Sequence, residues 1–163
     1  MPRGGTPSLP VTVRWDSAFP VRQALQTNPG DTQPSDLSAA ASKDYIITVL
    51  GLVPAGKYKS GGRLATNSQS RPDAANGNEP EDPEPMLENI MGASRLFVRG
   101  HAPVRPDDVK LDATTGTLHL FFSRSLPIQA EDREVIFVTQ FGSLSVRIPF
   151  RLKDMLWRKR LEL

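Results

Sequence analysis

The stretch EVIFVTQFGSLSVRIPF, residues 134–150, decides the fold. In its second half Leu144, Val146, Ile148 and Phe150 alternate with Ser145, Arg147, Pro149 and Arg151, the period of two that gives a strand one buried and one wet face. Its first half is apolar on both sides: Val135 and Phe137 point one way, Ile136 and Val138 the other. The intervening Phe141-Gly142-Ser143 reads as a tight turn. A hairpin follows, whose first strand is central in a sheet and calls for cover on both faces, hence for a second layer.

Working outward, the same reading predicts strands at 11–17 (burying Trp15), 44–52, 95–99, 108–112 and 117–123, with a turn at 113–116 between the last two. With the hairpin strands at 134–140 and 144–150 these make seven. Short helices are expected at three places. One spans 18–26, after Trp15 and around Pro20. A second starts at Pro85, with Leu87, Ile90 and Met91 on one face and Gly92 as its stop, and covers a sheet edge or end. The third is a last turn through Leu152, Met155 and Leu156. The final WRKRLEL fits helix and strand equally.

The number and spacing of strands resemble an immunoglobulin-like antiparallel β-sandwich, without the Cys-Trp-Cys signature. An α+β arrangement, helices on one face of an antiparallel sheet, is the alternative. Residues 1–10 read as a flexible arm and 11–163 as a single β domain. Residues 53–85 read as a disordered insertion within it, rich in Gly, Pro, Ser and Asn and too poor in apolar side chains to offset its ordering entropy. The basic residues of that insertion come first. Asp73, Glu79, Glu81, Asp82, Glu84 and Glu88 follow, an acidic run expected to shield the basic C-terminal end.

Composition bounds the chemistry. Over 163 residues hydrophobic side chains make up 38%, and Gly 12 with Pro 15 accounts for the local shortfall. A net charge of +2 does not by itself imply a polyanionic partner, although a pI near 9.1 leaves room for a basic patch. The absence of cysteine excludes disulfides, thiolate nucleophiles and cysteine-ligated metals. No apolar run approaches the roughly 18 residues of a membrane span, and the first ten residues lack the apolar core of a signal peptide. Cytoplasm is the default location, with an extracytoplasmic one also compatible.

Catalysis would rest on a Ser or Thr activated by one of two histidines. His119 lies on the strand face away from Leu118 and Leu120, alongside Thr117 and Phe121. His101 sits in a Gly/Pro-rich connection, and neither accompanies a nucleophile motif. Asp107, Asp108 and Asp112 offer oxygen ligands, but Lys110 between the latter two places a positive charge where a cation would go.

Two binding surfaces are expected. Trp15, Asp16, Phe19 and Arg22 have the aromatic-plus-arginine composition of an interaction hot spot, and equally that of a strand end locked onto a core by its tryptophan. Residues 147–160 hold six basic residues against one acid. Arg147, Arg151, Arg158, Lys159 and Arg160 are the candidate anion contacts, with Trp157 placed to stack on a base. The expectation is a non-catalytic binding or structural-interaction module without a cofactor, its partner a protein. A binder of nucleic acid or an anionic surface is the alternative, and an enzyme using His101 or His119 the third reading.

Overall fold

A computed structural model of the chain describes residues 10–18, 40, 43–59, 81–125, 127–158, 160, 161 and 163. The hairpin at its centre joins β6 (Glu134–Phe141) to β7 (Leu144–Arg151), antiparallel, with Phe141 opposite Leu144. Only Gly142 and Ser143 remain for the loop. Gly142 takes φ 57° and Ser143 does not have positive φ, the pattern of a type II′ turn, whose twist matches that of the strands.

A strand forms in each of the seven expected segments. β1 (Thr12–Trp15), β2 (Asp44–Leu50), β4 (Asp108–Asp112) and β5 (Thr117–Ser123) make one sheet in the order β1-β2-β5-β4. β3 (Arg95–Val98) pairs with the free flank of β6, so the second sheet runs β3-β6-β7 with β6 central. All pairings between the named strands are antiparallel. The described residues are thus mainly β, two antiparallel sheets with one α-helix and no closed barrel. WRKRLEL resolves as strand: β8 (Leu156–Trp157) and β9 (Arg160–Leu161) form a small ribbon after a 3-10 turn at Leu152–Met155. A second 3-10 turn, Ala130–Asp132, is too short to leave a sequence period.

The sheets meet through aromatic rings. Phe122 of β5 and Phe137 of β6 pack edge to face, centroids 6.3 Å apart and planes at 87°. At the other side Trp15 packs edge to face on Phe150 at 5.2 Å and on Tyr45 at 5.8 Å. Ile47, Val49, Leu96, Leu118, Leu120 and Val135 complete the apolar interior. Such pairs add about 0.5–1.5 kcal/mol each beyond the area they bury.

One expectation needs correction. β6 is central, yet among the described residues only its Val135 and Phe137 face is covered; Ile136 and Val138 stay half-buried on an open face. The doubly covered strand is β2, where Ile46 on the outer face is fully buried beside Phe121 and Ala40.

The helix, α1, runs Glu84–Ala93 and buries Leu87 and Ile90 against β6 and the edge strand β4. Gly92 does not stop it. Ser94 does, its N–H and hydroxyl both donating to the Ile90 carbonyl, at 2.9 and 2.6 Å. The flanks of the expected insertion are also ordered. Tyr58 is buried and bridges to Glu81; the N–H of Lys59 donates to the Glu81 carbonyl and that of Glu81 to the Lys57 carbonyl, at 2.9 and 3.0 Å. Lys57 Nζ lies 3.5 Å from the Glu81 carboxylate. Gly116, at φ 69°, lets the β4–β5 turn lie directly on this segment, because a Cβ there would come within 2.2 Å of the Val53 carbonyl oxygen. The rest of the expected insertion (60–80), residues 1–9 of the expected arm, and most of the expected 18–26 helix lie outside the described residues. No described helix is long and apolar enough to cross a membrane.

Candidate functional site

The two outer faces of the sandwich differ in kind. On the first sheet, register aligns Arg14, Thr48, His119 and Lys110 in one row across all four strands. Asp16, one step past β1, reaches into this row although it is 1% exposed. Arg14 Nε donates to its Oδ1 at 2.8 Å and the Thr48 hydroxyl to its Oδ2 at 2.5 Å. Thr48 Oγ1 is also 2.9 Å from His119 Nδ1. A hydroxyl carries a single proton, and the carboxylate can only accept, so Nδ1 must carry a hydrogen and donate to Thr48.

The order of these groups decides their chemistry. In a nucleophilic triad the imidazole stands between hydroxyl and acid. Here the hydroxyl stands between acid and imidazole, and Thr48 is fully buried. The bridge orients the ring and satisfies a buried carboxylate. Burial pushes the His119 pKa below its ordinary 6.5, the Asp16 and Asp112 charges partly offsetting this while Arg14 and Lys110 add to it. Asp112 serves the turn after β4, its Oδ1 accepting the Thr114 and Thr115 N–H groups, while Lys110 lies 4.9 Å from the centre of the Phe121 ring. His101 is exposed in the loop after β3, its own N–H tied to the Val98 carbonyl at 3.1 Å.

Among the described residues the outer face of β3-β6-β7 is open. Phe97, Ile136 and Pro149 form one cross-strand row, and Arg95, Val138 and Arg147 form the next. Phe97 is 40% exposed, Arg147 and Pro149 are exposed, and Ile136 and Val138 half-buried. Glu134 and Arg151 pair one step beyond. The result is an apolar strip with exposed Arg147 beside it, while the Arg95 guanidinium donates to the Gly92 and Ser94 carbonyls at the end of the helix, both at 2.6 Å.

Of the expected hot spot, Trp15 and Asp16 are buried. Trp15 is 1% exposed and its indole N–H donates to Ser17 Oγ at 2.8 Å, which also accepts the Ile46 N–H. Asp16 pairs with Arg14; Phe19 and Arg22 lie outside the described residues. Of the expected anion contacts, Arg147 and Arg151 share the open face of the second sheet, while Arg158 and Arg160 are exposed on the β8–β9 ribbon. Lys159 and the side chain of Trp157 lie outside the described residues. Of the acidic run, Glu81 is paired with Lys57 and Asp82 accepts the Glu84 N–H at the start of α1. Sequence reading passed over Arg95 and Phe97, two residues apart in a short strand, because only the register of β3 against β6 sets them beside Arg147 and Ile136.

No protein-family model, no curated protein and no solved structure matches the chain.

Proposed function

We propose that the chain is a non-catalytic binding module that docks an acidic, extended protein segment carrying apolar side chains on the outer face of β3-β6-β7. The observation that carries this reading is the Phe97, Ile136 and Pro149 row beside exposed Arg147, uncovered among the described residues, while the outer face of the other sheet buries Ile46 and Phe121. An aromatic ring with an arginine neighbour is the composition of a binding hot spot. The arginine selects for acidic partners and against basic ones. A nucleic acid would want a series of stacking faces, and the row offers one ring. An enzymatic role for His119 has less support, since the hydroxyl beside it is buried and already bonded to Asp16.

The strand order also supports an immunoglobulin-like assignment, because β1-β2-β5-β4 over β3-β6-β7 is the ABED and CFG order of the constant-type sandwich. That analogy concerns fold and leaves function to the surface.

The test is fluorescence anisotropy with a labelled peptide of alternating glutamate and leucine, with single-stranded DNA and heparin as competitors. The reading expects the peptide to bind, more weakly as salt rises, and Phe97→Ser and Arg147→Glu each to weaken binding several-fold with unfolding transitions kept. Peptide binding unaffected by both substitutions would refute it. DNA binding tighter than peptide binding would favour the nucleic-acid reading.

A further inference from the structure

At the end of the β6–β7 hairpin, opposite the turn, Ala130, Arg133, Glu134, Arg151, Lys153 and Leu156 line an open surface pocket of about 330 Å³. That volume is at the small end of ligand sites, which run from about 300 to 1,000 Å³. Three cations and one carboxylate meet there. Arg133, Arg151 and Lys153 have no ion pair within 4.0 Å among the described residues, although Glu134 lies directly across from Arg151 in the ladder.

The loop that carries Arg133 is built to hold it. The Gln129 N–H donates to Asp132 Oδ2 at 2.8 Å and the Asp132 N–H returns to the Gln129 carbonyl at 3.1 Å. The Arg133 carbonyl accepts the Leu152 N–H at 2.9 Å, tying one 3-10 turn to the other. Between these restraints Arg133 takes φ 62° and ψ −44°, a conformation close to a γ-turn that a residue with a Cβ rarely adopts. Glycine would occupy it without strain. An arginine kept in a strained conformation at the rim of a pocket points to a use for its side chain.

We infer that this pocket is a binding site for a phosphate monoester with a small apolar body. The guanidinium groups of Arg133 and Arg151 and the Lys153 ammonium would grip the phosphate. Guanidinium offers paired N–H donors that match its oxygens, and Lys adds a point charge. With Glu134 ionised, the site carries two net positive charges, which a dianionic phosphate balances. Ala130, Leu156 (39% exposed) and the aliphatic stems of the basic side chains supply the apolar wall, and Glu134 can accept a hydroxyl of the ligand. The site uses none of Phe97, Ile136, Arg95 or Arg147, so it stands or falls apart from the docking surface.

The experiment is calorimetric titration of the full chain with phenyl phosphate, inorganic phosphate and benzoate at low salt. Phenyl phosphate should bind with Kd of about 1 mM or tighter, inorganic phosphate several-fold more weakly and benzoate weakest. Affinity should rise as pH passes about 6, where the monoester becomes dianionic. Arg133→Gly should lower affinity at least tenfold while leaving the unfolding midpoint equal or higher, since it removes the strain with the side chain. Arg151→Ala with Lys153→Ala should abolish binding. Absence of phenyl phosphate binding by the wild type, or wild-type affinity in either variant, would overturn the assignment.

Discussion

Thr48 Oγ1 stands 2.9 Å from His119 Nδ1 and 2.5 Å from Asp16 Oδ2, so one buried hydroxyl of β2 joins β5 and the residue that follows β1 through side chains alone. Its two neighbours differ in need. Asp16 also has Arg14, whereas Thr48 is the hydrogen-bond acceptor given to Nδ1 of His119.

Thr48→Val keeps shape and removes the bridge, leaving a carboxylate oxygen and an imidazole N–H short of a partner in a buried site. The expected cost is about 1–3 kcal/mol, read from denaturant unfolding. A change within error would mean that water takes the place of the hydroxyl.

The pH dependence follows from His119. Its folded pKa lies below the ordinary 6.5, so between the two values the unfolded chain binds more protons than the folded one. This contribution to stability is complete above pH of about 6.5 and is lost as pH falls towards the folded value. Unfolding midpoints at pH 7.5 and 5 should differ less for His119→Asn than for wild type. An equal difference would assign the acid sensitivity elsewhere.

Phe137→Ala removes the ring that packs on Phe122 at the centre of the sandwich, and should cost about 3–5 kcal/mol. Arg147→Ala, on the open face of the adjacent strand, should stay within about 0.5 kcal/mol. Calorimetric or denaturant unfolding of the two variants makes the comparison, and similar losses would contradict the facing of the hairpin.

Because Lys59 and Glu81 are hydrogen-bonded neighbours, replacing residues 60–80 with a short Gly/Ser linker should leave the unfolding transition nearly unchanged. Extending the replacement to residues 57–84 removes buried Tyr58, the bridge to Glu81 and the first residue of α1. That longer replacement should lower stability measurably. Equal midpoints for the two replacements would show that the bridge contributes nothing.

The strands were legible because their signal is local. Alternation within 117–123 or 144–150 fixes both strand and facing without knowledge of any partner. What escaped was pairing. Asp16 reads as a surface carboxylate until β1 is laid beside β2, which brings Thr48 to it from 32 residues away. The open face of β6 was missed for the same reason: Ile136 and Val138 look like core, and only the absence of a described layer beyond Phe97 and Pro149 leaves them at the surface. Tyr58 lies in a stretch of disorder-prone composition, and composition averages over a single buried ring of this kind. Arg133 stands in a run of charges, EDRE, that gives no hint of its backbone conformation or of Arg151 and Lys153 folding back beside it.

The central claim, that the outer face of β3-β6-β7 is the docking surface, is tested most directly by mapping amide shift changes on the isotopically labelled chain as the glutamate and leucine peptide is added. The account predicts the largest changes at Phe97, Ile136, Val138 and Arg147, with little at Thr48 and His119. Changes centred on the first sheet around Thr48 and His119, with Phe97 and Ile136 unmoved, would contradict it.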